Sequence, residues 1–598
     1  ELVGLTLSIQ LQSPSGEKLV ALDALASSVD TLRLKLPALE PGHYPVYARF
    51  GRRYPATDDL VAAAHETLRV VAPAAHEWRL ARGRLLHNGD AVVPFGWFSI
   101  PPEHMAEPGQ AFRQMQAYSS QYQSVEEVRA YLDRVHAAGT QVTIYPYPDN
   151  SFMSPASVWS RPLTDAQRTS LRERIRALKD HPGLFAWYIA DEPELRPTDP
   201  RRTDEIYRII SDEDPHHPCI MLNDTVAGIS RYAGGGDVLM PDPYPTFLAD
   251  ARAAQPIQKV GAFMDAAVEA SEGWRAVWIT PQGFNYGDYG RANNRVPSFT
   301  ELRNMTWQAI AHGARGFLWY TYSQVPNYAS LRLGMPWLSY EVDALRAAIL
   351  SDDAQIDISI TADAPHHLHL RARRLEDGQL LLIAVNTDTT AQDVALTLCP
   401  ALAADSLHVV GENRSVGLVD GGVLRDRFEP YATHLYTTAH VLTDRPDILA
   451  TQAAIDSADA ARYKPGNIAF ETTGTTVEVS SESRYGSTPA RLFDGVTDGM
   501  RWRDETKGAS GDWLTIQWPM LQQIGRVVLY GNVLKVTPQV IDNDGIWRNL
   551  ASETVIDAGA LIVQLQNQVS TDALRLQIDA IDAAASQTVV YEVEAYTR

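Results

Sequence analysis

Residues 184–193 read LFAWYIADEP, an apolar run followed by two acids and a proline. A run of strand length without polar alternation is what a strand buried on both faces of a parallel sheet requires. Pro193 has no backbone donor for a ladder, so the strand stops there and leaves Asp191 and Glu192 side by side at its carboxyl end. Similar runs stand on either side: VVPFGWF (92–98), FRQMQAY (112–118), QVTIYPY (141–147), CIMLND (219–224), DVLMPDPYP (237–245), AVWITPQGF (276–284) and GFLWYTYS (316–323). In the second of these, helix-like spacing competes with the strand reading. Capped amphipathic helices lie between the strands. Ser124 with Glu127, Thr164 with Gln167 and Ser298 with Glu301 form capping boxes, and Gly139, Pro182 and Gly313 are the matching stops. Eight strands alternating with helices predict a (β/α)8 TIM barrel over residues 77–350.

The flanking sequence has another rhythm. Residues 1–76 alternate apolar and polar positions in short runs (LTLSIQL, TLRLKL, YPVYARF, TLRVV) broken at PSG and EPG, which predicts an N-terminal antiparallel β-sandwich. Residues 351–447 repeat that pattern (HLHLRARRL, LLLIAVN, THLYTT) and predict a second sandwich, followed by an Ala/Asp-rich linker at 448–462. Strand patterns return over 463–598 (TVEVS, WLTIQW, RVVLYGN, ALRLQI, VVYEVEAYT) as a further all-β domain. A length of 598 residues suits such a multidomain chain, and 45% hydrophobic with 9% aromatic residues excludes wholesale disorder. With 52 basic against 73 acidic residues the formal charge is −21, which repels phosphate backbones, so nucleic acid is excluded as a partner. No apolar run approaches the roughly 18 residues of a spanning helix, so no membrane insertion is expected. Cys219 and Cys399, far apart in sequence, read as buried free thiols and cannot make a cysteine metal site. The chain opens at Glu1 within a strand-like run, and a removed leader is the expectation.

In a barrel of this kind the reactive groups follow the carboxyl ends of the strands. The candidates there are Asp191 and Glu192 after the fourth strand and Asp242 with Tyr244 after the sixth. Trp97 comes from the first strand, Tyr145 and Tyr147 from the third, Gln282 and Phe284 from the seventh, and Trp319 and Tyr322 from the eighth. Carboxyl groups among aromatic walls suit glycoside hydrolysis, in which a neutral acid protonates the leaving oxygen and a carboxylate stabilises or traps a cationic sugar ring. Trp187 or Tyr188 is expected to lie against Glu192 and keep it protonated. A rim salt bridge or helix cap is the competing use of the acidic pair. No cofactor is needed for this chemistry. His216 and His217 read as solvated loop residues, His366, His367 and His369 as strand surface, and the glycines at 234–236 as a turn.

The runs HPGLFAWYIADEPE, VLMPDPYP, VWITPQGF and ELRNMTWQAIAHGARGFLWYTY together resemble the barrel core of bacterial glycoside hydrolases related to the large retaining barrel clan, whose acid/base Glu follows strand four in an NEP motif. The match of DEP to NEP implies that Glu192 is the general acid/base. Asp191 stands where the clan has Asn, and Gln282 where it has the nucleophilic Glu. An amide is a feeble nucleophile, which leaves several routes open. The Asp-Glu pair resembles that of hexosaminidases, where the Asp orients a substrate acetamido group as nucleophile. Asp242 is the other candidate, as nucleophile or as base for an inverting attack. Carboxyl separations of about 5–5.5 Å and 6.5–9.5 Å distinguish retention from inversion. Gln282 itself is matched to a sugar hydroxyl. The alternatives are a non-catalytic glycan-binding protein on a decayed barrel, or a transglycosylase.

The C-terminal segments NIAFETTG, ARLFDGVTDGMRW, GDWLTIQW, IGRVVLYGN and VVYEVEAYT resemble a discoidin or coagulation factor 5/8 type C module, a jelly roll that includes a large carbohydrate-binding family. The resemblance implies a C-terminal β jelly roll that binds carbohydrate. It also implies a structural calcium with Asp494, Asp498 and Glu592 as ligands, against the plainer reading that Asp494 only forms a turn. Tyr485 and Trp547 are the expected sugar contacts, with Trp502, Trp513 and Trp518 in the core. Such a module, with the missing start, implies a secreted or periplasmic protein.

Overall fold

The computed structural model describes residues 5–25, 34–52, 60–106, 114–117, 123–153, 162–196, 198–247, 256–289, 291, 294–374, 378–402, 404–419, 422–439, 442, 444–483, 487–497 and 501–598. The chain divides into two compact units, Glu1–Glu77 and Trp78–Arg598. The described residues of the first unit make one antiparallel sheet in the order Lys18–Leu25, Leu5–Gln12, Gly42–Arg52, Leu60–Val70. Two facing layers were expected from the alternation. The outer strands present mostly exposed side chains, because runs such as LVAAAHETLRV carry too few large apolar groups to bury a second layer.

The second unit begins with three short antiparallel strands over 78–92 that the sequence reading did not anticipate. Trp78 is buried there, stacked 4.0 Å from His87 and edge-on to Phe185 at 5.6 Å, so it covers the amino end of the strand that follows Gly183. Eight parallel strands come next: β1 (Phe95–Trp97), β2 (Gln114–Ala117), β3 (Gln141–Ile144), β4 (Leu184–Ala190), β5 (Cys219–Asn223), β6 (Val238–Pro241), β7 (Ala276–Val277) and β8 (Phe317–Trp319). β2 to β7 pair in chain order and β8 pairs with β1. Single parallel bridges from Ile279 to Phe317 and from Gln282 to Tyr320 join the seventh strand to the eighth. The backbones of β1 and β2 also run alongside each other, so the eighth strand leads back to the first and the first to the second. Every side chain of β4, β5 and β6 is buried, which is why these stretches read as unbroken apolar runs.

Helices α1 (Val125–Ala137), α2 (Asp165–Leu178), α3 (Pro200–Glu213), α4 (Val226–Tyr232), α5 (Lys259–Ala270) and α6 (Phe299–Ala311) occupy the connections. The capping boxes at Ser124, Thr164 and Ser298 all form. α6 departs from the amphipathic expectation, since of its thirteen residues only Thr300 escapes burial. Its outer face is covered by the antiparallel strands of residues 357–437, which pair in the order 357–361, 392–399, 423–428, 414–419, 406–409, 433–437, 380–386, 368–374. The polar groups of α6 are satisfied across that boundary and by Glu341 of the helix Met335–Ala344. Asn304 Nδ2 donates to the carbonyls of Asn386 (2.8 Å) and Tyr431 (2.9 Å). Arg303 donates to both oxygens of Glu341 (3.1 and 2.7 Å) and to the Thr433 carbonyl, while Trp307 Nε1 donates to Glu341 at 2.7 Å. His369 belongs to the same boundary and not to a free strand surface: its Nδ1 meets His312 Nε2 at 2.6 Å, and burial beside that histidine pushes its pKa down to about 4.

Residues 448–460 form a helix whose Ile455 packs against Phe299 and Trp337, so the expected linker is held to the body of the unit. Beyond it lies a separate core built on Trp502, Leu514, Trp518 and Leu574, between long antiparallel strands at Trp513–Gly531 and Ala560–Ile581. Trp547 is stacked on the Arg575 guanidinium at 4.1 Å, with Trp513 on the same group at 3.9 Å, and Tyr485 lies outside the described residues. Cys219 is buried, whereas Cys399 is exposed at the outward-facing end of an alternating strand, contrary to expectation. Among the described residues no helix is long and apolar enough to cross a membrane.

Arg303 and Glu341 have side chains only 5% and 0% exposed, so removing either leaves a buried charge unpaired. Glu341→Ala should lower stability by about 3–5 kcal/mol, read by urea unfolding with tryptophan fluorescence. A loss below about 1 kcal/mol, the size of a surface pair, would refute this account.

Candidate active site

The parallel strands set the site by a simple rule. β4 ends at Ala190, β5 at Asn223 and β6 at Pro241, and each is followed at once by acid: Asp191 and Glu192, Asp224, and Asp242. The strands are in step, with Asn223 opposite Pro241 and the Asp242 amide donating to the Asn223 carbonyl at 3.2 Å. Oxygens of Glu192, Asp224 and Asp242 therefore lie within 4.8 Å of one another. Glu192 has φ +45°, a left-handed conformation that costs a non-glycine residue about 1–3 kcal/mol. What holds it is the turn beyond: the Leu195 amide bonds the Glu192 carbonyl at 3.1 Å and the Thr198 amide bonds that of Pro193 at 3.1 Å. Glu194 pins the turn to the next connection by accepting from Asn223 Nδ2 (2.8 Å) and the Thr225 amide (3.0 Å). A Cβ on Gly228 would stand 2.2 Å from the Glu194 carboxylate and displace it from this position.

Crowding these acids decides their charge. Burial, then the neighbouring Asp191, pushes Glu192 up to about 7, while its hydrogen bond with Asp242 pulls the other way. Asp242 is 2% exposed and is pushed well above the usual carboxylate range by burial, with Glu192, Asp224 and Asp191 adding to it. Two hydrogen-bonded carboxyl groups in this setting cannot both ionise, so the pair holds one proton near neutral pH. Asp224 is raised by burial and relieved by Lys259. Asp191 is anchored separately, accepting from the Tyr188 hydroxyl at 2.7 Å and facing Arg196 at 3.4 Å. Tyr188 thus serves Asp191 and not Glu192 as expected. Trp187 serves neither: its Nε1 donates to Asp214 (2.8 Å), which also binds His217 (2.9 Å), a buried residue where a solvated one was expected.

The aromatic candidates separate into two groups. Tyr244 is half-buried, 5.1 Å from Phe284 and 6.2 Å from Tyr320, and Phe284 also meets Tyr286 at 4.8 Å and Tyr289 at 5.5 Å. Trp97, Tyr145, Tyr147, Trp319 and Tyr322 are instead buried, because side chains pointing inward at the strand exits pack on one another. The Tyr147 hydroxyl is spent on the Ile189 carbonyl at 2.7 Å. These five rings back the site and present no open face to a ligand. Gln282 is fully buried and its Nε2 donates to the Phe284 carbonyl at 3.1 Å, so it ties down the loop after β7 where a sugar contact was expected. Sequence reasoning missed Asp224, which ends CIMLND by the same rule that singled out Asp191 and Asp242. It also missed Tyr286, close enough to feel the charges of Asp224, Asp242 and Glu192, and Tyr289, hydrogen-bonded with Tyr320.

In the C-terminal region Asp494 is buried against Arg501, whose Nη2 is 2.8 Å from its Oδ2. Glu592 is fully buried with the Gly495 amide directed at it short of hydrogen-bond geometry, and burial beside Asp494 pushes it well up. Asp498 lies outside the described residues.

No family model and no curated protein matches the chain. Its structural neighbours are glycoside hydrolases and carbohydrate-binding modules. The chain is similar to a family 39 glycoside hydrolase from Bacteroides cellulosilyticus WH2, at TM-score 0.36 and 14% identity over 73% of this chain and 95% of that one. It is similar to an FMN-binding beta-glucuronidase from Faecalibacterium prausnitzii L2-6, at TM-score 0.30 and 12% identity over 73% of this chain and 68% of that one. A family 32 carbohydrate-binding module of C. perfringens NanJ is similar to 21% of the chain and matches over 96% of its own length, at TM-score 0.18 and 16% identity. Likenesses at this level carry over neither substrate nor site residues.

Because Glu192 binds its proton more tightly folded than unfolded, it favours the folded state below its ordinary value of 4.5, and that contribution is lost as pH rises to about 7. Glu192→Gln should therefore gain thermal stability relative to the wild type as pH is raised across this window. Melting curves at acid and neutral pH check it, and a difference that stays flat or reverses contradicts the assignment.

Proposed function

We propose that residues 77–350 are a (β/α)8 barrel that hydrolyses O-glycosidic bonds of an oligo- or polysaccharide, with Glu192 as general acid/base. The observation that carries this reading is the proton-sharing pair of Glu192 and Asp242 at the ends of β4 and β6, beside the rings of Tyr244, Tyr286 and Tyr320. Protonated Glu192 gives its proton to the glycosidic oxygen as the bond to the anomeric carbon breaks. Asp242 traps the sugar cation as a covalent ester. Glu192, now ionised, takes a proton from water, which attacks the anomeric carbon, frees Asp242 and restores the acid.

We infer retention and not inversion because the nearest oxygens of the pair lie within 4.8 Å, well short of the roughly 6.5–9.5 Å that seats an attacking water; a bound sugar has to part the hydrogen-bonded pair to the roughly 5–5.5 Å of a retaining site. Asp242 thereby takes the part that Gln282 cannot. Asp191, already engaged by Tyr188 and Arg196, keeps negative charge beside Glu192 and so helps hold its proton.

For residues 463–598 we propose a jelly-roll carbohydrate-binding module, and for the whole protein a secreted or periplasmic location. Glu592, a buried carboxylate poorly served by donors, is the group that fits a structural calcium, with Asp494 beside it neutralised by Arg501.

Assay on a panel of nitrophenyl glycosides and natural oligosaccharides tests the hydrolase reading. Glu192→Gln should lower kcat by about 10²-fold or more on natural glycans and by less on activated aryl glycosides. Asp242→Asn should abolish turnover on both. Proton NMR of the first-formed sugar should show the anomer of the substrate; the opposite anomer would remove Asp242 as nucleophile. Glycan binding without hydrolysis of any substrate would replace the enzyme with a binding protein. The reactive state has Glu192 protonated and Asp242 ionised; burial and Glu192 hold the Asp242 proton well above the usual range, so the pair first reaches its one-proton state as pH rises to about 7, and activity should rise over that approach.

A further inference from the structure

The loop after β7 that carries Tyr286 and Tyr289 is braced from inside the barrel at almost every residue. Gln282 holds the Phe284 carbonyl, Asn285 Oδ1 accepts from the Gly287 amide at 2.7 Å, and Asn285 Nδ2 donates to the Tyr328 hydroxyl at 3.0 Å. Tyr328 in turn donates to Asp288 Oδ2 at 2.7 Å. The other oxygen of Asp288 has a different kind of neighbour, Arg491 of the C-terminal module, whose Nε is 3.2 Å away. Arg491 is the last residue of a short 3-10 turn at Pro489–Arg491, and its guanidinium lies over the Gly287 backbone, where a Cβ would stand 3.2 Å from its Nη2. Glycine at 287 thus leaves room for a side chain from a remote part of the sequence. Asp288 is only 4% exposed at its side chain, so without Arg491 its charge would be buried with a single hydroxyl donor. Without Arg491 that carboxyl would take up a proton or swing toward water, and either change loosens the turn that carries Tyr286 and Tyr289.

We propose that Arg491 is a positioning residue for the aromatic wall of the barrel site, so that the C-terminal module shapes substrate binding at the catalytic centre itself. This rests on the hydrolase reading above. The effect acts on the wall and leaves the Glu192 and Asp242 pair in place, and so belongs in KM more than in kcat.

The test compares full-length Arg491→Ala, Arg491→Lys and wild type by hydrogen exchange and by kinetics on the best nitrophenyl glycoside of the panel. In Arg491→Ala, exchange over 284–289 should accelerate about tenfold and KM should rise about tenfold, with kcat within about threefold of wild type. Arg491→Lys, which keeps the charge, should recover most of both. The proposal is overturned by unchanged exchange and KM in Arg491→Ala, by equal loss in the alanine and lysine variants, or by acceleration spread over 463–598 with none at 284–289. If the wild type cleaves no glycoside, the hydrolase reading falls, and exchange at 284–289 still decides whether Arg491 holds the loop.

Discussion

Three neighbouring strands that each end in acid force carboxyl groups into a few ångströms of poorly hydrated space, and the rest of the architecture has to make that tolerable. Burial and like charge both oppose ionisation, so the cluster destabilises the fold at neutral pH in proportion to how far its members are pushed from their ordinary values. It persists because β4, β5 and β6 have no solvent-exposed side chain and cannot yield locally. The turn after Glu192 is likewise over-determined, by two backbone hydrogen bonds and by Glu194 reaching across to the next connection. A site that costs stability, set on the most rigid elements of the chain, is the arrangement expected where proton transfer needs a carboxyl group poised near neutral pH.

The surrounding parts serve that rigidity in different ways. The 78–92 strands cover the amino end of β4 through Trp78, at the opposite end from the acids. The antiparallel strands of 357–437 hold α6 through the carbonyls of Thr433, Asn386 and Tyr431, which accept from Arg303 and Asn304, and Arg491 of the C-terminal region reaches the loop after β7. None of these contacts is made by the site acids, yet each fixes an element from which site residues project.

Much of this was legible in the sequence, for reasons that can be named. The buried strands announced themselves because a strand packed on both faces must be apolar throughout, and Ser124, Thr164 and Ser298 marked helix starts because capping is local chemistry. Asp191, Glu192 and Asp242 followed from strand ends alone. Asp224 obeys the same rule at the end of CIMLND, where no proline marks the strand end. Burial was harder to read. Trp319 and Tyr147 stand at the right places in the sequence but point where neighbouring strands already fill the space, and Gln282 is turned toward its own loop. The full burial of α6 was beyond reach, because Asn304, Thr306 and Gln308 look like a solvated face until the domain that covers them is in place. Arg491 could not have been paired with Asp288 from spacing, since nothing local links them.

The covered helix has a bearing on how such a protein can be inherited. α6 belongs with β7 and β8 by its place in the chain, and shares its polar groups with the following strands through Thr433, Asn386 and Tyr431. A recombination event that exchanged one for the other would leave Arg303 and Asn304 facing a surface that does not answer them. Exchanging either neighbour of α6 therefore means rebuilding the polar surface that Arg303 and Asn304 meet, whereas the compact unit Glu1–Glu77 carries no such partners of α6.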